Sequence, residues 1–452
     1  MKRHTPVALL ATLISAAAWG QDVTVFGTTM AEMWKSDVPG AKAAYTPATQ
    51  FLGIDATKLG SDALSLHLFG WGRTDLEDFS SWDGQRDHSA LSYGYLQYQF
   101  SQANAEIKAG RFTVNQSTGF EHVDGIAGRT DLIGGFNVSG FVGQPVLFYP
   151  AGTAQARSDY KFQRDLIMGT RLGWRLGGVS EIGVSYLQDG TKSVEELGLP
   201  AGRRDWTRKQ MGADIVYTPL SFFNLRGRTV WDLANRQNGI AEQDYTATFK
   251  VGGQVTVTTN YAERKFAHFY AGTTLPSLFK QDTNDLFEGW GGKVTWNTPW
   301  SVQMVADYQH MHRESYGDVN KGGGELRWAN GEKTLQLGAA GHVAIAAKTK
   351  AVDATAPYRS LSYGEARAWA MASKGKFSFS LDGIVQRYSK ANPYLLGIST
   401  LSEVVASVGY EATKGLKLAG DVSHATTGAT KSETRGILRA EYHFGMSGKG
   451  GH

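Results

Sequence analysis

Stretches of about ten residues that alternate apolar with polar recur along the chain, joined in turn by a tight turn and a longer polar connection. Side chains alternate across a strand, so near the C-terminus Leu438, Ala440, Tyr442 and Phe444 share one face while Arg439, Glu441 and His443 share the other. The same division recurs upstream. Phe223, Leu225, Gly227, Thr229 and Trp231 oppose Asn224, Arg226, Arg228 and Asp232; Leu166, Met168, Leu172 and Trp174 oppose Asp165, Arg171 and Arg175. Val302, Met304, Ala306 and Tyr308 alternate with Gln303, Asp307 and Gln309, and Phe377, Phe379 and Leu381 with Ser378, Ser380 and Asp382. A strand greasy on one face and charged on the other suits a wall between lipid and a polar lumen. An Arg or Lys facing lipid near the bilayer middle costs roughly 2–4 kcal/mol, so the charges belong inside. The candidate lumen residues are therefore Arg171, Arg175, Arg226, Arg228, Asp232, Gln303, Asp307, Asp382, Arg439 and Glu441. Trp71, Trp174, Trp231, Trp300 and Trp328, at strand ends, are expected at the two membrane interfaces.

Counting such stretches gives about 22 strands, within a range of 18 to 24, and predicts an all-β, antiparallel up-and-down transmembrane barrel over residues 21–445. Short connections at 59–61, 102–103, 176–178, 219–221, 297–299, 330–331 and 374–375 alternate with longer ones. That is the pattern of short periplasmic turns and long outer loops, and it puts both termini in the periplasm.

The first twenty residues read separately. Lys2 and Arg3, an apolar run from Val7 to Ile14, and Ala18-Trp19-Gly20 make a cleavable export signal whose core is too short to span a bilayer. Without its two positive charges the remaining chain has 44 Lys plus Arg against 42 Asp plus Glu, which argues against a nucleic-acid partner. The chain contains no cysteine, which excludes disulfides, thiolate metal sites and covalent haem attachment by a Cys-x-x-Cys-His motif. No cofactor is expected. A mean hydropathy of −0.30 does not argue against a membrane, because a barrel places apolar residues at every second position.

The export signal, some twenty alternating strands and a last strand reaching Phe444 together resemble Gram-negative porins and porin-like barrels over the whole mature chain. The segment Lys108-Ala109-Gly110-Arg111-Phe112 is similar to the Gly-Arg strand that precedes an infolded loop in many porin-like proteins. Porin-type chains commonly finish on an aromatic residue, whereas Gly445 to His452 follow here, the last seven forming a short polar tail, 446–452. The resemblance implies an outer-membrane location, insertion by the barrel assembly machinery and contact with outer-membrane lipids. The infolding candidate is the connection Val114–Glu121, and the candidate constriction is Arg111, Glu121, His122, Asp124 and Arg129. Acids on an inward loop facing basic wall residues would set a field across the pore. The connections 144–161, 190–206 and 265–282 hold enough apolar residues to pack on one another or on a partner.

No Gly-x-Ser-x-Gly elbow, His-Glu-x-x-His helix or phosphate-binding Gly-x-x-x-x-Gly-Lys-Ser/Thr loop is present. His310 and His312 share a strand face with Glu314 nearby but lack a third convincing metal ligand. The expectation is a channel, not an enzyme, for passive diffusion of small polar solutes or ions. A 22-stranded barrel is wide enough to need filling, yet no interstrand stretch leaves room for a folded plug. The alternative is therefore a sheath around a multihaem c-type cytochrome, as in the porin-cytochrome conduits that the barrel also resembles. An outer-membrane hydrolase is the weakest reading, left open because a Ser, a His and an Asn can meet in space without a sequence signature.

Overall fold

A computed structural model describes residues 22–36, 44–76, 87–146, 165–191, 207–233, 239–265, 286–313, 317–347, 362–392, 398–426 and 432–447. They form 22 long strands: β1 (Asp22–Ser36), β2 (Pro47–Thr57), β3 (Leu64–Asp75), β4 (Asp87–Phe100), β5 (Ala105–Gln116), β6 (Gly119–Asp131), β7 (Phe136–Pro145), β8 (Asp165–Leu176), β9 (Ser180–Thr191), β10 (Thr207–Leu220), β11 (Phe223–Asp232), β12 (Gly239–Val251), β13 (Val255–Lys265), β14 (Leu286–Asn297), β15 (Val302–Arg313), β16 (Gly317–Ala329), β17 (Leu335–Ala346), β18 (Tyr363–Lys374), β19 (Phe377–Asn392), β20 (Ile398–Thr413), β21 (Leu416–Thr426) and β22 (Glu433–Ser447). A two-residue strand, Ala44–Tyr45, extends the pairing of β1 above β2.

Each long strand is antiparallel to the next, and β1 pairs with β22 along its whole length, from Asp22 opposite Ser447 to Ser36 opposite Glu433. The sheet closes on itself, so each of the 22 long strands has a partner on both sides. The alternation read from the sequence reappears as alternating exposure. Leu438, Leu381 and Leu172 are 70%, 53% and 52% exposed on the outer face, while Arg439, Asp382 and Arg171 stand on the opposite rows and are ion-paired.

Turn chemistry explains several corners. In the turn 177–179 between β8 and β9 the two central residues, Gly177 and Gly178, take φ of 55° and 73° with open space around both. Positive φ at both central positions matches the right-handed twist of a hairpin, and only glycine adopts it without steric cost.

Three sequence expectations need correcting. Residues 114–121 are not a long connection: β5 and β6 run on to a two-residue turn, Ser117-Thr118, with Val114 paired to Glu121 and Gln116 to Gly119. The run Asn115–Thr118 is polar and reads as a loop, but its backbone groups find partners across the hairpin instead of in water. The last strand continues beyond 445, because β1 offers partners as far as Ser447. Trp71 shares the inward row of His67 and Phe69 in β3 instead of standing at an interface, opposite Phe51 of β2. Trp174 and Trp328 stand on outward rows and are exposed, and Trp300, in the turn before β15, is exposed as well. The export signal, residues 1–20, lies outside the described residues, as do most of the connections 144–161, 190–206 and 265–282.

Candidate functional site

The hairpin of β5 and β6 leaves the wall and crosses its inner face. Pairing between β4 and β5 ends at Gly94 and Arg111, and pairing between β6 and β7 ends at Val123 and Pro145. Beyond those pairs the segment 112–121 is a two-stranded arm whose strands are paired with each other. Gly110 sits at the departure point with φ of 127°, where a Cβ would lie 2.3 Å from the Gly94 carbonyl oxygen. A Cβ on Gly125 would lie 2.1 Å from the Val142 carbonyl oxygen. Glycine at both positions lets the backbones approach as the hairpin turns.

Phe112 and Val123 pack against Phe141, Ile167 and Leu187, which belong to the inward rows of β7, β8 and β9; all five are buried. Burying such side chains contributes about 1.5–3 kcal/mol each, so the arm is held by a small apolar core. Its tip reaches farther. Ser117 Oγ donates to Ser185 Oγ at 2.6 Å, and Glu121 pairs with Arg208. A Cβ on Gly212 would lie 2.8 Å from Ser117 Oγ, so β10 meets the tip with bare backbone. The arm therefore spans from β5 to β10 along the inner wall.

The constriction residues predicted from sequence divide accordingly. Glu121 is at the latch, facing Arg208, which sequence reasoning missed. Arg111 and Asp124 pair with each other through two parallel bonds, Nε to Oδ1 at 2.7 Å and Nη2 to Oδ2 at 2.6 Å. They occupy the hairpin face opposite Phe112 and Val123. His122 is 9% exposed and lies on that same face. Arg129 pairs with Glu106 at 3.0 Å; eight residues from Glu121 along β6, it is roughly 26 Å away at strand rise. These four residues are not brought to the tip.

The lumen candidates are joined mostly to partners on neighbouring strands. Arg171 bonds Asp214 at 2.7 Å, Glu181 at 3.1 Å and Asn137 at 3.0 Å; Arg175 continues the chain to Glu181 at 3.0 Å and Asp131 at 3.5 Å. Arg228 and Arg264 both hold Glu242, at 2.9 and 2.5 Å, and Glu242 is 1% exposed. Asp307 meets His342 at 3.1 Å, Asp382 meets Arg367 at 2.5 Å, and Arg439 meets Asp421 at 3.5 Å and Glu441 at 3.8 Å. Gln303 donates to Asn297 at 2.8 Å. Asp232 is buried opposite Gln210, and Arg226 is exposed. Two charges of opposite sign held side by side leave a small net field, so the wall presents dipoles more than isolated charges. His310 bonds Asn320 and His312 bonds Asp318, and Glu314 lies outside the described residues.

Sequence reasoning also missed a run of rings on the inner face of β22 and β1 to β4. Phe26 and Phe69 lie 6.2 Å apart, Phe69 and Tyr93 5.5 Å, Tyr93 and Tyr95 6.0 Å, and Tyr95 and His67 5.0 Å, with His443 6.4 Å from Phe26. Phe26 lies flat because its neighbour on β2 is Gly53, whose Cβ would stand 2.3 Å from the ring.

No family model matches the chain, and no curated protein matches it. Among solved structures it is similar to a double mutant of the ferric enterobactin receptor PfeA from Pseudomonas aeruginosa, at a TM-score of 0.56 and 9% identity over 93% of this chain and 80% of that one. It is also similar to the translocation pore of the P pilus usher PapC, at 0.50 and 9% identity over 93% and 99%. These likenesses show the fold, that of an outer-membrane β-barrel.

Proposed function

We propose that the chain is an outer-membrane channel for passive diffusion of small polar solutes or ions, narrowed by the hairpin 112–123. The observation that carries this reading is the latch, in which Ser117 bonds Ser185 and Glu121 pairs with Arg208. A connecting segment built only to join two strands has no need of an apolar core against three other strands. An arm fastened across the inner wall reduces the open section and sets polar groups where solutes pass. Its tip, with the Arg171 and Glu242 ion-pair chains of the wall, gives a lumen lined by both signs, which admits hydrated solutes and selects by size and dipole. In this reading the ends with short turns face the periplasm, and the protein reaches the membrane by export through it.

The test is single-channel conductance of the refolded barrel in a planar bilayer, with a haem stain of whatever copurifies from native membranes. Steady conductance without haem is the expected result. A copurifying multihaem cytochrome that blocks the current until it is stripped away would replace the channel with the sheath.

A further inference from the structure

The inner face of β2 and β3 brings together a hydroxyl, an imidazole and a carboxylate in line. Ser65 and His67 are two residues apart on β3 and so share its inward row, and Asp55 of β2 stands directly opposite His67. His67 Nδ1 lies 2.7 Å from Asp55 Oδ1, and Ser65 Oγ lies 3.0 Å from His67 Nε2. With Asp55 accepting from Nδ1–H, a neutral imidazole presents Nε2 as a lone pair, to which the Ser65 hydroxyl donates. That is the tautomer and the order of contacts by which a serine is made nucleophilic. The hydroxyl also reaches the Gln97 carbonyl, at the longer distance of 3.5 Å. The His67 ring is stacked on Tyr95 at 5.0 Å and 28°, which fixes its plane. His67 and Asp55 are 23% and 36% exposed, so the group is supported by its neighbours yet open to the lumen. From Tyr95 the rings of Tyr93 and Phe69 continue as an apolar strip.

We propose that Ser65, His67 and Asp55 form an acyl-transfer site that hydrolyses esters of apolar carboxylic acids, the acyl group lying along the Tyr93–Phe69 strip. Ser65 Oγ bonds to the ester carbonyl carbon as its proton passes to His67 Nε2. The bond to the alcohol oxygen then breaks, and the departing alkoxide takes that proton. Water repeats the sequence on the acyl-serine, releasing the carboxylic acid and restoring the hydroxyl. Asp55 is a positioning residue that holds the tautomer. This activity is independent of the channel reading, because the group stands on β2 and β3, away from the hairpin tip.

The experiment uses the full refolded barrel with a fluorophosphonate probe and with p-nitrophenyl acetate and butyrate. One equivalent of probe is expected on Ser65, absent in Ser65→Ala, with butyrate hydrolysed faster than acetate. His67→Gln is expected to lower the rate roughly 100-fold, the low end for loss of a general base. Asp55→Asn is expected to lower kcat with KM unchanged, and Asp55→Glu to recover part of it, which a merely structural role would not give. Ser65→Ala removes one half-buried hydroxyl; its heat-modifiable gel mobility and single-channel conductance should match the parent, which separates this test from that of the channel. Labelling no higher than in Ser65→Ala, or labelling that His67→Gln leaves unchanged, would overturn the proposal.

Discussion

On the inner wall, β22 and β1 to β4 carry rings where β8 to β13 carry ion pairs. Both sectors face the same lumen and solve the same problem, since an inward row in a wide barrel has no opposite wall close enough to pack on. The aromatic sector lays Phe26 flat over Gly53 and against Phe69, so contact is made within the sheet. The charged sector links rows by cross-strand pairs, as where Glu242 holds Arg228 and Arg264. The difference teaches that inward rows are stabilised sideways, by neighbours on adjacent strands, and that the two sectors should respond differently to salt.

The comparison can be broken first at the boundary between the faces. Leu438→Arg moves a charge to the outer row, where Leu438 is 70% exposed, and should cost about 3 kcal/mol near the bilayer middle. Arg439→Leu, one residue away on the inner row, should cost much less in the same urea unfolding series. If both cost the same, the assignment of faces fails. Within the charged sector, Glu242→Ala leaves two arginines facing each other. With those arginines about one-third exposed, the loss should be about 2–3 kcal/mol, just below the roughly 3–5 kcal/mol of a fully buried broken pair. Within the aromatic sector, Phe69→Ala should cost about 1–2 kcal/mol through lost area and ring contacts. The smallest effect belongs to Arg367→Ala, whose pair with Asp382 is half open to water; about 0.5 kcal/mol is expected. Repeating the last two in 1 M salt sharpens the contrast: the Arg367 effect should shrink toward zero while that of Phe69 persists.

Much of this fold is legible in the sequence because a barrel repeats one simple rule. Rows such as Phe377, Phe379, Leu381 against Ser378, Ser380, Asp382 declare strand, face and neighbour at once, and Gly177-Gly178 declares a hairpin. The infolded segment was legible in position but not in form, since Asn115 to Thr118 are polar whether they face water or a partner strand. Arg208 was hidden for a different reason. It lies 87 residues from Glu121, and only the inward bend at Gly110 and Gly125 brings the two together. The aromatic sector escaped because Phe26, Phe69 and Tyr93 lie far apart in sequence, and alternation says which face a ring takes but not that several rings meet. Trp71 shows the same limit, since position near a strand end suggested an interface while row parity places it inward. Ser65 and His67 share a row that alternation alone reveals; the carboxylate that completes the group comes from register between β2 and β3.

The account rests on the arm across the inner wall, and the most direct test is conductance of the latch variants in a planar bilayer. Arg208→Glu sets two carboxylates against each other at the tip and should release it, giving a larger single-channel conductance than the parent. Glu121→Arg should do the same with two cations, and the exchange of both residues should return conductance toward the parental value. Equal conductance in all four proteins would show that the arm does not narrow the pore, and the constriction would have to be sought elsewhere in the barrel.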